Sequence, residues 1–290
     1  MRISFLVPVY DTDLAVLRLC INSVLKAAAD QHEVVIVDDG SHRAETCDFL
    51  DRCEACGVEN LKILRNPQNS GVSYSLNKAA AAATGELYAP VDHDDMVVTD
   101  GVHRMLKYIE YYRSNWTYSD EVQITYKGVP RGYMHKPDYS PQLLRSVMYI
   151  NHLQLFSREL FQNVGGYREG FEGSQDHDLA LRLSEQTTPA HVDVIAYLWR
   201  RGMTSQSVHY GEIDENSIQA SCQALEEHFE RLKLTAQVKA VTLSAHAELS
   251  AQPTGTYISR ILPATVPEVS IIIPCRLGTT TMVDGVKVTV

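Results

Sequence analysis

Two hundred and ninety residues, 44% of them hydrophobic and 21% charged, suffice for an enzyme-sized core and leave room for a small second domain. This balance excludes a disordered, collagenous or coiled-coil chain. A net charge of −10 argues against nucleic acid or anionic lipid held on a broad basic face.

The apolar run at 3–7 meets Pro8 and is too short for a secretory core, and no stretch approaches the ~20 apolar residues that span a bilayer. A cytoplasmic chain is expected, with peripheral association at the inner membrane face left open. The six cysteines then read as buried or free thiols, including Cys53 and Cys56, which fall inside a helical pattern with no second ligand pair downstream.

Short β-branched runs alternate with amphipathic stretches over the first hundred residues, which predicts α/β architecture: a mainly parallel sheet flanked by helices. In chain order we read a strand at 3–9, a helix at 14–25, a strand at 33–37, a helix at 44–56 and a strand at 61–64. An Ala-rich helix at 72–83, a strand at 87–91 and a helix around 102–109 follow. Residues 116–201 read as an irregular half with shorter strands and more loop, and a helix over 217–232 closes the unit. Residues 235–267 look like a strand plus connector. The run Val269-Ser270-Ile271-Ile272-Ile273-Pro274 then echoes the pattern at 3–8. The expected division is one domain over 1–235, with 236–290 a connector plus the first strand of a second copy cut short.

Three polar clusters fall at strand C-terminal ends: Tyr10-Asp11, Asp38-Asp39-Gly40-Ser41 and Asp92-His93-Asp94-Asp95. In an open α/β sheet that edge binds ligands. Like charges as close as Asp92, Asp94 and Asp95 call for a cation, and an oxygen-only set suits Mg²⁺ or Mn²⁺ with substrate phosphates completing the shell. A plain acidic turn before the helix start at Thr99-Asp100 is the competing reading. Gly173 to Asp178 reads as a loop feeding a helix. Capping explains acidic residues there, while a functional reading makes Asp176 a general base. His209 is a candidate metal or diphosphate contact in a polar loop, and Arg200, Arg201 and Lys136 are candidate phosphate contacts. No P-loop, dinucleotide fingerprint, nucleophile elbow or zincin motif is present.

Taken in order, the motifs resemble family 2 of the inverting nucleotide-sugar glycosyltransferases, of GT-A fold. They are V-P-V-Y at 7–10, V-D-D-G-S at 37–41, N-x-G-V-S at 69–73 with Asn77, D-H-D-D at 92–95 and Y-S-D-E at 118–121. K-P-D-Y-S-P at 136–141, G-G-Y-R-E at 165–169, G-S-Q-D-H-D-L at 173–179, Y-x-W-R at 197–200 and A-L-E-E-H at 224–228 complete the set. The likeness is greatest to the branch that builds bacterial surface polysaccharide such as O-antigen or rhamnan, where two such domains are often joined in tandem. Asp11 stands where an Asn is usual, Leu198 where a His is, and Met203-Thr204-Ser205 replaces G-S-T-A.

The resemblance implies a nucleotide pocket from Pro8, Tyr10, Asp11, Asp39, Asn69, Gly71, Asp92 and His93, with Mn²⁺ or Mg²⁺ on Asp92, Asp94 and Asp95. It places His209 on a late loop over the diphosphate and the metal, makes Asp176 the catalytic base, and leaves Gln175, Asp178, Trp199 and Arg200 as acceptor contacts or helix-start residues. The donor would be a UDP-, GDP- or dTDP-linked sugar, and the acceptor a saccharide or lipid-linked saccharide. A sugar-nucleotide nucleotidyltransferase and a catalytically idle sugar-nucleotide module of a larger polymerase are the alternatives.

Overall fold

The computed structural model describes residues 1–29, 31–201, 215–243, 252–262, 280–283 and 286–289. The chain runs β1 (Ile3–Val9), α1 (Leu14–Ala28), β2 (Glu33–Asp38), α2 (Ala44–Ala55), β3 (Leu61–Arg65), α3 (Val72–Ala82), β4 (Leu87–Pro90), β5 (Met96–Val97) and α4 (Thr99–Tyr112). It continues through β6 (Trp116–Thr125), β7 (Pro130–Met134), α5 (Pro141–Leu144), β8 (Gln154–Ser157), α6 (Arg158–Asn163), α7 (Gln175–Ser184), β9 (Ala190–Arg201) and α8 (Glu215–Arg231). Two hairpins follow, β10 (Thr235–Leu243) with β11 (Gln252–Leu262) and β12 (Thr280–Val283) with β13 (Val286–Thr289).

One sheet runs in the order β3-β2-β1-β4-β8-β6-β9-β5, with β7 paired to β6. Its first half is parallel: β3 on β2, β2 on β1, and β1 on β4. Beyond β4 the sheet is mixed, because β8 runs antiparallel to both neighbours while β6 and β9 pair in parallel. Burial on both faces explains the apolar runs of β1 and β2. Ile3, Phe5, Val7, Val34 and Ile36 pack on the face covered by α1 and α4, whereas Leu6, Val35 and Val37 pack on the opposite face with α3, as the strand period of two requires.

Local chemistry sets the helix starts. Asp13 accepts from the N–H groups of Ala15 and Val16 at the head of α1, and Ser157 accepts from Leu160 N–H at the head of α6. The buried stripe Val16, Leu17, Cys20, Ile21, Val24, Ala27 and Ala28 gives α1 its helical period.

The expectation of shorter strands after residue 116 holds for β7 and β8, of 5 and 4 residues, and not for β6 and β9. β6 has 10 residues and β9 has 12, paired along their length with register shifts on either side of Asp120. Bulges kink a strand and break its alternation, which adds to the irregular pattern of this half. The β10–β11 hairpin packs on the domain: Tyr257 is buried, its N–H donates to Ser146 O at 2.8 Å, and its ring lies 6.1 Å from His177. The echo at 269–274 lies outside the described residues. Among the described residues no helix is long and apolar enough to cross a membrane.

Candidate active site

The C-terminal ends of β1, β2 and β4 converge on one edge, and the chain turns sharply at each. After β4 the acidic turn begins at Asp92, whose C=O accepts from Asp95 N–H at 3.1 Å. Arg200, buried at the end of β9, holds this turn in shape: its backbone N–H donates to Asp95 Oδ1 at 2.5 Å and its Nε to Asp94 O at 2.6 Å. Its Nη1 reaches Tyr126 O at 2.7 Å. Arg200 is thus a clamp, which corrects its assignment as an acceptor or phosphate contact. Asp95 is also turned inward and only 1% exposed, so Asp92 and Asp94 remain to face a ligand. Burial and the charges of Asp92 and Asp94 raise the Asp95 carboxyl well above its ordinary value, and burial with Asp92 raises Asp94.

A cleft opens beside this turn, lined by Val91 and Asp92 on one wall, Asn151 and His152 on another, and Gln175 and Asp176 at the head of α7. Asn151 Nδ2 donates to Asp176 Oδ2 at 2.9 Å. Burial and the nearby Asp92 charge raise the Asp176 carboxyl to about 6, against His152 and Asn151, which pull it down. The Gln175 side-chain carbonyl is buried and has no donor among the described residues.

His152 bridges the cleft to the sheet. Its Nε2 lies 3.4 Å from Asp92 Oδ2, its Nδ1 lies 3.7 Å from Glu121 Oε2, and its ring stacks on Tyr197 at 4.8 Å. Burial alone would depress its pKa, but the two carboxylates overcome this and raise it well above the ordinary value. Lys136 is not a phosphate contact: its Nζ is buried 3.2 Å from Glu121 and donates to His152 O at 2.6 Å. Sequence reasoning missed Asn151 and His152, and gave Glu121 of Y-S-D-E no role, because strand-end motifs were its guide and the pair at 151–152 precedes β8 with no local pattern around it.

The nucleotide-side residues sit at the rim, where several are occupied by the fold. Asp39 is buried; its Oδ1 accepts from Asn66 Nδ2 at 2.6 Å and Ser70 N–H at 2.9 Å, and its Oδ2 accepts from Gly71 N–H at 2.9 Å. Asn69 Oδ1 also accepts from Gly71 N–H, at 3.1 Å. Asp11 Oδ1 accepts from the N–H groups of His42 and Arg43 at 2.6 and 2.9 Å, at the head of α2. His93 Nδ1 pairs with Thr12 Oγ1 at 2.8 Å. Pro8 lies within β1 and Tyr10 just beyond it, half-buried. Asp11 and Asp39 therefore shape the loops that frame the edge.

Asp178 is fully buried and grips two guanidinium groups, those of Arg168 and Arg182, with Arg182 Nη2 at 2.6 Å. That corrects its assignment as an acceptor contact and leaves it a helix-start residue. Trp199 is half-buried, its ring beneath the Arg201 guanidinium at 4.6 Å and 6.4 Å from His152, so it borders the cleft. His209 lies outside the described residues.

Comparison with known proteins adds an independent line. Residues 4–165 match the family model described as glycosyl transferase family 2. The chain is 30% identical to the O-antigen biosynthesis protein RfbC of Myxococcus xanthus, over 94% of this chain and 21% of that one. It is 26% identical to a chondroitin synthase of Pasteurella multocida, over 67% of this chain and 20% of that protein. Among solved structures, S. aureus TarS residues 1–349 in complex with UDP-GlcNAc superposes with a TM-score of 0.60 at 19% identity, over 79% of this chain and 73% of that one. The chain spans about a fifth to a quarter of the length of the curated relatives it matches first.

Proposed function

The chain belongs to glycosyl transferase family 2, and from that premise we propose that it transfers a sugar, with inversion, from a nucleoside-diphosphate donor to a saccharide or lipid-linked saccharide acceptor in bacterial surface polysaccharide synthesis. The observation that carries this reading is Asp176, a carboxylate raised to about 6 that faces Asp92 across the cleft at the edge where the strands end.

Asp176 in its ionised form accepts the proton of the acceptor hydroxyl as that oxygen attacks the anomeric carbon from the face opposite the leaving group. Asn151 fixes the carboxylate by its hydrogen bond to Oδ2, leaving Oδ1 for the hydroxyl. Gln175, with an unsatisfied buried carbonyl, suits a sugar hydroxyl that donates to it. The loops ordered by Asp11 and Asp39 frame the base and ribose, and that TarS was solved with UDP-GlcNAc supports a UDP-linked donor as the first to try.

The acidic turn fits a divalent cation. The Asp92 charge helps to raise Asp94 and Asp95, and Asp95 is engaged by Arg200, which leaves Asp92 and Asp94 as the oxygens to hold Mn²⁺ or Mg²⁺. Bound there, the ion would offset the charge that develops on the leaving diphosphate. His152, whose pKa Asp92 and Glu121 raise, faces the turn from another wall of the cleft.

The test is Asp176→Asn. Transfer should fall by ~100-fold or more, the usual range for a lost general base, while donor affinity measured by calorimetry with Mn²⁺ stays within a few-fold. Loss of donor binding, or transfer kept near the wild-type rate, would overturn the assignment.

A further inference from the structure

A second cluster of ligating side chains lies away from the cleft, on strands β6 and β9 and the residue that follows β7. Asp120 Oδ1 lies 2.8 Å from His191 Nε2, and its Oδ2 lies 2.9 Å from His135 Nδ1. One ligand atom from each of the three residues falls within 4.8 Å of the others. We propose that Asp120, His135 and His191 bind one transition-metal ion of the Zn²⁺ class, which fastens strand β7 to the sheet.

The donor set determines the class of ion. Two imidazoles and one carboxylate suit Zn²⁺ and its neighbours, whereas Mg²⁺ and Mn²⁺ prefer the oxygen-only turn at Asp92 and Asp94. With bonds of ~2.0–2.2 Å, tetrahedral donors stand ~3.4 Å apart. To admit the ion, the present hydrogen bonds open by about half an ångström while the widest pair of ligand atoms, within 4.8 Å, closes toward that spacing. On binding, the ring nitrogens that face Asp120 would give up their N–H, the proton passing to the other ring nitrogen or to solvent.

The ligands are prepared for this. Asp120 is buried, and donors from Lys136 N–H and Tyr133 hold its carboxylate between the two imidazoles. His191 stacks on Tyr118 at 5.1 Å, and its Nδ1 faces Asp138 at 3.8 Å, the outer carboxylate that metal-bound histidines commonly have. His135 lies 3.7 Å from Asp193. Its side chain is 58% exposed, which leaves a path for the ion and for a water as the fourth ligand. Every residue of β7 is exposed, so a clip at its end would hold an otherwise loosely anchored edge strand.

Cys53 and Cys56 are a competing thiol pair. The experiment therefore titrates the chelator-stripped full chain with Zn²⁺ by calorimetry, and with Co²⁺ by visible absorption, under saturating Mg²⁺. The expected result is one ion per chain, four-coordinate Co²⁺ bands without thiolate charge transfer, and a Zn²⁺-induced rise in the thermal midpoint. His135→Ala removes one hydrogen bond to Asp120 and should lower the stripped protein's midpoint slightly, weaken the site roughly tenfold or more, and abolish the Zn²⁺-induced rise. His191→Gln should weaken it likewise. No site under Mg²⁺, thiolate bands, or a site indifferent to His135→Ala would each overturn the proposal and leave the three side chains as a hydrogen-bond network only.

Discussion

Asp176 and Asp178 stand two residues apart at the start of α7, and the helix turns them to different fates. Asp176 looks into the cleft, where burial and Asp92 raise its carboxyl to about 6. Asp178 looks into the protein, where Arg168 and Arg182 close on it. Replacing Asp178 with Asn should leave those guanidinium groups without their anion and destabilise the fold by about 3 kcal/mol or more, read as a lower urea midpoint at unchanged slope. A loss under ~0.5 kcal/mol would mean that the pair is idle. At the acidic turn the roles also divide, with Asp95 held by Arg200 and Asp94 free to meet a ligand. Asp94→Ala should therefore remove the Mn²⁺ dependence of UDP-sugar binding in calorimetry, and equal affinities with and without Mn²⁺ in the wild type would count against it. Both carboxylate clusters were legible in the sequence as motifs. Which member faces the cleft was not, because that depends on Arg200, 105 positions from Asp95, and on Arg168, which reaches Asp178 across a loop with no periodic pattern.

Among the elements, α7 and the β10–β11 hairpin meet at His177. Its Nε2 pairs with Leu144 O at 2.6 Å, Tyr257 lies against it, and burial lowers its pKa to about 4 against the pull of Leu144 and Asp178. A histidine held neutral in the fold costs stability wherever the unfolded chain would protonate it. The native state binds fewer protons here than the unfolded state between about pH 6.5 and 4, so the contribution is intact above 6.5 and is lost as pH falls through that window. The full difference is roughly 3 kcal/mol. His177→Gln should flatten the fall in urea stability from pH 7 to 4, and identical slopes for the two proteins would refute the assignment. Gly101 in α4 shows the same interdependence of elements. A Cβ there would come 2.2 Å from Ile195 O of β9, so the helix lies on the sheet only because that residue is glycine. Gly40 has φ +74° and would press a Cβ to 2.5 Å from Gln68 C, which explains a glycine between the two loops that Asp39 ties together.

For the whole molecule, the hairpin bears on where the first folded unit ends. A boundary at 235 would leave out β10 and β11, yet Tyr257 is 4% exposed against the domain and α8 packs on β10. A chain ending at 262 should keep the thermal midpoint of the full chain, whereas one ending at 235 should melt several degrees lower, since losing even ~1 kcal/mol shifts a domain of this size by ~2–4 °C. Equal midpoints for the two would place the boundary at 235.

What the amino-acid order determined by itself was the local layer: the strand and helix sequence of the first hundred residues, the strand-end clusters, and the colinear motifs that resemble family 2. Each rests on period, capping or spacing, which neighbours in sequence decide. The tertiary structure alone decided which polar groups meet. His152 reaches Asp92 across 60 positions, Arg200 holds Asp95 across 105, and the shifted register around Asp120 brings it between His135 and His191. Those contacts follow from sheet order and bulges, which arise from long-range pairing and leave no periodic trace in the chain.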